Sequence, residues 1–236
     1  MDMQLNEKKA LITGSSSGIG YAIAEALAAE GADVIITGRH EITVNEAVHK
    51  IKHLHPETNP RGITGDCSTQ TGCEKIFDAA PSVDILINNL GIYERKPFFE
   101  IGDDDWMRFF EINVMSGIRF SRFYTPKMVA NKWGRVIFVS SESGLMIPPE
   151  MIHYGFSKSA QLSISRGLAM SLSGTGVTVN ALLPGPTRTD TTEKQRKERA
   201  QDWGISLETL EREFFEKFRP TSIIQRFAAA EEVDRK

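Results

Sequence analysis

Cysteine is scarce: Cys67 and Cys73 are the only two in 236 residues. That excludes a disulfide framework and suits a reduced, cytoplasmic protein. Neither sign of charge is in excess. With 25% charged residues and a net charge of −3, no overall field calls for nucleic acid or an anionic membrane. Long apolar runs are missing too. The longest uncharged run, 167–187, is broken by Ser, Gly, Asn and Pro, so it reads as a helix end, a turn and a buried strand. Residues 1–9 lack the apolar centre of a signal peptide. No repeat and no low-complexity linker divides the chain, which implies a single domain over 1–236.

What is present alternates. Short apolar runs at 9–13, 33–37, 61–66, 83–88, 135–140 and 177–183 read as strands. Helical patterns stand between them at 19–30, 41–52, 69–79, 103–125 and 154–173, with Pro126 disturbing the end of the fourth. Ile85-Leu86-Ile87 and Val136-Ile137-Phe138-Val139 are apolar on both faces, as strands covered from two sides must be. Right-handed crossovers then give an α/β fold with an open, doubly wound parallel sheet.

In such a sheet, ligands bind beyond the carboxyl ends of the strands. After the first strand, Gly14, Gly18 and Gly20 allow a tight turn, close backbone approach and a helix N-terminus that favours a pyrophosphate. The second strand ends in Gly38-Arg39. No acidic residue is there to bind both adenosine ribose hydroxyls, and the forked Arg39 guanidinium can reach a 2′-phosphate, so NADP is favoured over NAD. Tyr154 and Lys158 lie one helical turn apart, so both can converge on one ligand. An adjacent ammonium favours phenolate and is expected to pull the tyrosine pKa down towards neutrality. Ser141 ends the fifth strand, where its hydroxyl can meet a substrate oxygen.

Assembled in order, these pieces resemble the short-chain dehydrogenase/reductase family, in particular its NADP-dependent 3-oxoacyl-ACP-reductase-like members. They are Thr-Gly-x-x-x-Gly-Ile-Gly at 13–20, Asp66, Asn88-Asn89-Leu90-Gly91, Asn113, Ser141, Tyr154-x-x-x-Lys158 and Pro184-Gly185 with Thr189. The resemblance implies a Rossmann-like fold and hydride transfer between a nicotinamide and a carbonyl or secondary alcohol. Tyr154 would carry the proton, Ser141 would orient the substrate oxygen, and Lys158 would bind the nicotinamide ribose. Asn113 would hold a water linking Lys158 to solvent. Cofactor contacts would come from Gly14, Ser16, Ser17, Gly18, Ile19 and Gly20 in the first loop, with Arg39 beyond the second strand. Asp66, Asn88 and Gly91 would add to these, with Tyr154 and Lys158, and with Pro184, Gly185, Thr187 and Thr189. Partners implied are a small carbonyl or alcohol substrate and further copies of the chain, as a homodimer or homotetramer through the 103–125 and 154–173 helices.

Leu90 stands where the family usually has alanine, which adds bulk beside the cleft. Members usually continue with a further helix and a seventh strand, whereas this sequence has no glycine after Gly204 and stops at Lys236. Strand six would then be an open edge and the substrate loop would lose support. That keeps a second reading in play, a nucleotide-binding protein with impaired turnover. Residues 187–221 are expected to select the substrate. Leu207, Leu210, Phe214 and Phe218, with Trp203 before them, form a helical stripe that either closes over an apolar substrate or packs on the body. The basic residues of 194–199, diluted by Glu193 and Glu198, read as a solvated helix face. His49, His53 and His55 have no carboxylate or thiol nearby to complete a metal site, and none is expected.

Overall fold

A computed structural model describes residues 3–234; Met1, Asp2, Arg235 and Lys236, including the chain end considered above, lie outside the described residues. Six parallel strands form one sheet in the order β3-β2-β1-β4-β5-β6. They are β1 (Lys9–Ile12), β2 (Asp33–Gly38), β3 (Arg61–Thr64), β4 (Ile85–Asn88), β5 (Gly134–Val139) and β6 (Val177–Leu182). The alternating helices are α1 (Gly18–Ala29), α2 (Glu41–Leu54), α3 (Gln70–Ala79), α4 (Asp103–Phe109), α5 (Ser116–Ala130) and α6 (Ile152–Ser171). The expected Rossmann-like, doubly wound α/β domain is the one observed.

The strand pleat sorts the core into two layers. Ala10, Ile12, Val34, Ile36, Ile85 and Ile87 face α1 and α2, while Leu11, Ile35, Leu86, Val136 and Phe138 face α3, α5 and α6. The second layer carries the larger side chains, with Phe120, Tyr124 and Met128 of α5 almost fully buried; each such burial contributes roughly 1.5–3 kcal/mol. The β6 strand pairs only with β5 among the described residues, the open edge the sequence implied. Its Val177 and Val179 are buried and its Thr178 and Asn180 exposed, so the strand is written for cover on one face.

The helix expected over 103–125 is three pieces. Between α4 and α5, Phe110–Met115 forms a π-helical turn whose extra residue directs Asn113 inwards, where it is fully buried. Pro126 does not end the helix, which runs on to Ala130. Proline in a helix interior costs about 3 kcal/mol, and the buried side chains of Tyr124 and Met128 on either side offset that.

Residues after β6 fold back over the carboxyl edge of the sheet. A short strand β7 (Thr187–Arg188) leads into α7 (Asp190–Trp203) and α8 (Leu207–Phe218). A second short strand, β8 (Ala228–Ala229), pairs parallel with β7, and α9 (Glu231–Asp234) packs on α1. Glu211 on α8 ties this cap together by accepting from Arg188, Arg196 and the Phe227 N–H. The unsupported substrate loop expected from the sequence is therefore not what is seen. No helix among the described residues is long and apolar enough to cross a membrane.

Candidate active site

The strand order reverses between β1 and β4, and the loops after these strands, β5 and β6 converge there. The 13–20 loop owes its shape to two kinds of glycine. Gly14 and Gly18 have φ of 63° and 61°, in the left-handed region that side chains disfavour. A Cβ on Gly20 would stand 2.5 Å from Asn89 Nδ2 and 2.7 Å from Gly14 O, so only glycine lets α1 approach. Asn89 Nδ2 donates to Thr13 O (2.9 Å) and Gly14 O (3.0 Å), locking the loop to the end of β4. Leu90 lies against Gly14, within 3.2 Å of where a Cβ would be, so its bulk packs on the loop backbone.

The remaining expected cofactor residues line the same edge. Ser17 is the N-cap residue of α1, its side chain making no cap bond, and Ile19 packs on the α1–α2 core layer. Ser16 lies beside Gly38 at the end of β2, next to the exposed Arg39. Asp66 follows β3, and its Oδ1 accepts from Ser68 N (2.9 Å) and Ser68 Oγ (2.6 Å). Asn88 is buried at the end of β4. Its Nδ2 donates to Ser121 Oγ at 3.0 Å, whereas its Oδ1 has no partner. A Cβ on Gly91 would stand 3.4 Å from Lys158 Nζ. Pro184 O accepts from Glu142 N (3.1 Å), drawing the next loop onto the Ser141 turn. Gly185 and Thr187 line the cavity in front of Tyr154. Thr189 caps α7 and its methyl faces Gly18. These features fit a dinucleotide. The first loop offers positive-φ glycines before a helix N-terminus, and Asn88 at the end of β4 carries an orphaned buried acceptor.

Ser141 caps a helical turn after β5, with its Oγ accepting from Ser143 N at 3.1 Å, and reaches the Tyr154 hydroxyl. Tyr154 is half-buried on the first turn of α6, its ring centre 6.4 Å from that of Tyr93. Lys158, 4% exposed, sits one turn further on, its Nζ 5.7 Å from the Tyr154 ring centre. So Ser141, Tyr154 and Lys158 converge as expected.

Their electrostatics differ from expectation. Burial pushes the Tyr154 pKa above its ordinary value, with the Ser141 hydrogen bond working the other way. The lysine does not pull it down, because burial lowers Lys158 itself to about 7. Its Nζ donates instead to Val139 O (2.8 Å) and Gln161 Oε1 (3.2 Å).

Asn113 is fully buried beside this group and fully engaged by protein partners. Its Oδ1 accepts from Ile92 N (2.7 Å), and its Nδ2 donates to Ile92 O and Ser157 Oγ, each at 2.9 Å. Its main-chain oxygen accepts from Gln161 Nε2 at 2.6 Å. A side chain, Gln161, thus joins Lys158 to the Asn113 backbone. Gln161 is 1% exposed. Its signal in the sequence was a polar residue on the inward face of α6, three positions beyond Lys158.

In front of Tyr154 and Ser141 is a cavity of about 380 Å³. Trp203, Leu210, Phe214 and Phe218 line it, so the helical stripe does face the site; Leu207 is not among the lining residues. The cavity also takes in residues that the sequence did not single out, including Arg95 from the β4 loop and Gln195, Arg199, Arg219 and Phe227 from the cap. The 194–199 segment is only half a solvated face: Lys194 and Lys197 are exposed, while Arg196 and Arg199 turn to the cavity. Tyr93 Oη donates to Gln195 Oε1 at 2.8 Å and closes the cap onto the β4 loop. His153 does not line the cleft. It is fully buried, 4.1 Å from Phe109 between ring centres, and burial lowers its pKa. Cys67 and Cys73 are buried thiols, pushed up to about 12 and about 11 by desolvation, which leaves them unreactive.

Comparison with known proteins agrees with this fold. The family model described as short chain dehydrogenase matches residues 8–200. The chain belongs to this family of nicotinamide-nucleotide-dependent oxidoreductases. It is 47% identical over 233 residues to the uncharacterized oxidoreductase YvaG of Bacillus subtilis, covering 99% of this chain and 88% of that protein. It is 34% identical over 221 residues to D-beta-hydroxybutyrate dehydrogenase of Cupriavidus necator, covering 92% and 85% respectively. Among solved structures, L-sorbose reductase from Gluconobacter frateurii, complexed with NADPH and L-sorbose, superposes with a TM-score of 0.92 at 30% identity, covering 99% of this chain and 89% of that one.

Proposed function

We propose that this protein is an NADP(H)-preferring oxidoreductase interconverting a carbonyl and a secondary alcohol, with Tyr154 as general acid and base. The observation that carries this is the meeting of Tyr154 with Ser141 and Lys158, with Tyr154 and Ser141 lining a cavity at the carboxyl edge of the sheet. When bound, the nicotinamide supplies or accepts the hydride. The chain's own task is to move one proton and hold one oxygen. In reduction, the Tyr154 hydroxyl gives its proton to the substrate oxygen while Ser141 holds that oxygen in place. With its pKa above the ordinary tyrosine value, Tyr154 is fully protonated at neutral pH and ready as the acid. Lys158 supplies positive charge when protonated, below about pH 7, and that charge favours the phenolate left behind. Gln161 and Asn113 fix the lysine and the 92–93 loop around it.

Gly14, Ser16, Ser17, Gly18, Ile19 and Gly20 would hold the pyrophosphate side of the cofactor, with Asp66, Asn88, Gly91, Pro184, Gly185, Thr187 and Thr189 along its length. Residues 187–221 would select the substrate. Arg39, exposed beyond β2 with Ser16 nearby, would recognise a 2′-phosphate. Arg39→Asp should lower the NADPH-to-NADH ratio of kcat/KM by at least about tenfold, the loss of one charge-assisted contact. An unchanged ratio would sink that assignment. Fluorescence titration with NADPH and NADH, followed by a screen of carbonyl substrates, tests the wider reading; absence of nucleotide binding would end it. We place the protein in the cytoplasm as a homodimer or homotetramer, joined through α4–α6, where Met107, Phe156 and Met170 are exposed.

A further inference from the structure

The walls of the cavity are not uniformly apolar. Three guanidinium groups lie over its aromatic rings: Arg95 is 5.8 Å from the Phe218 ring centre, Arg199 is 5.7 Å from Trp203, and Arg219 is 5.8 Å from Phe214. Their partners differ. Arg219 is paired with Glu142, and the neighbouring Arg196 with Glu193 and Glu211. Among the described residues, neither Arg95 nor Arg199 has a carboxylate at ion-pair distance. Burial lowers the Arg95 pKa, and Arg199 and Arg219 act on it as like charges, with Glu150 and Tyr93 opposing them.

Two cations without ion-pair partners, brought together on an aromatic wall by segments a hundred residues apart, repel each other. An anion between them removes the repulsion and accepts hydrogen bonds from both forks. The rings beneath offer room for the apolar part of the same ligand, and the reacting hydroxyls of Tyr154 and Ser141 lie in the same cavity.

We propose that the substrate is an oxo acid or hydroxy acid whose carboxylate is held by Arg95 and Arg199, with its apolar chain on Trp203, Phe214 and Phe218. This deepens the oxidoreductase reading and rests on it for the chemistry, though not for the binding. It makes Arg95 and Arg199 the residues that decide specificity, one from the β4 loop and one from the cap. The Tyr93–Gln195 hydrogen bond ties the cap to the β4 loop and so holds the two halves of the anion site together.

The test compares charge at constant shape. Straight-chain oxo acids of four to eight carbons and their methyl esters are assayed with NADPH. The expected result is a kcat/KM for the best acid about 10- to 100-fold above that of its ester. Arg95→Gln and Arg199→Gln should each remove most of that advantage through KM, so that the acid-to-ester ratio of kcat/KM falls towards one. Equal use of acid and ester by the wild-type protein, or equal loss on both in the variants, overturns the anion site while leaving the oxidoreductase reading intact. A second readout needs no turnover. Octanoate should raise the melting temperature of the wild-type protein and not that of the Arg95→Gln/Arg199→Gln double variant. If octanoate does so while no carbonyl compound is reduced, the anion site stands and the reductase reading fails. No shift in the wild-type protein counts against the site.

Discussion

Tyr154→Phe is expected to lower kcat for carbonyl reduction by about 10²- to 10⁴-fold, the usual contribution of a positioned general acid, while NADPH affinity stays within a few-fold. Phenylalanine keeps the ring that stands 6.4 Å from Tyr93 and 5.7 Å from Lys158 Nζ, so the wall of the cavity is preserved. What is lost is a single hydroxyl, the one that Ser141 reaches. The direction of the pKa shift adds a pH signature. Because burial raises the Tyr154 pKa, the protonated acid persists across neutral and mildly alkaline pH, so reduction should hold up there. Alcohol oxidation needs the phenolate and should climb with pH over the same range. Initial rates in both directions between pH 6 and 10, on the wild-type protein and the variant, check both points. A Phe variant that reduces at close to the wild-type rate would show that the proton comes from elsewhere.

The parts of this site that sequence made legible are those fixed by short spacing. Tyr154 and Lys158 are neighbours on one helical face, whatever surrounds them. The 13–20 glycines declare a tight loop before a helix, and Arg39 is placed by the end of a strand. The sheet follows from apolar runs such as Val136 to Val139, whose alternate side chains fill opposite layers. What spacing could not reveal is direction and partnership across the chain. Lys158 was expected to act on Tyr154, but its Nζ turns to Val139 and Gln161, a choice made by the buried polar groups around it. Arg95 and Arg199 have no local relation, and only the fold of the cap brings them together. The segment from 222 to 234 carried no periodic signal, yet β8 pairs with β7 and Phe227 reaches the cavity through contacts with Phe214 and Phe215. A two-residue strand cannot be read from pattern, because its stability comes from its partner.

The second large effect concerns stability. Lys158→Met should abolish most activity, since Lys158 adjoins the acid–base hydroxyl, but the sharper result is in the melting temperature of the nucleotide-free protein. A lysine held at about 7 when folded and at 10.5 when unfolded opposes folding while its charge is forced into the interior. That penalty is fully present below about pH 7, where both states are protonated. Between pH 7 and 10.5 the unfolded chain binds the extra proton, so stability rises with pH and the penalty fades. Methionine, of similar length and uncharged, has no such dependence, and all other titrating groups are common to both proteins. The wild-type stability should therefore gain on the variant's by at most about 1.4 kcal/mol per pH unit, which is roughly 3–6 °C of melting temperature per unit for a chain of this size. Hydrogen bonds from Lys158 to Val139 O and Gln161 Oε1 set a constant offset between the two curves and leave the slope untouched. Parallel curves from pH 6.5 to 10 would mean that Lys158 keeps its ordinary pKa in the folded protein. The ammonium would then be charged throughout the working range and free to act on Tyr154 at every pH.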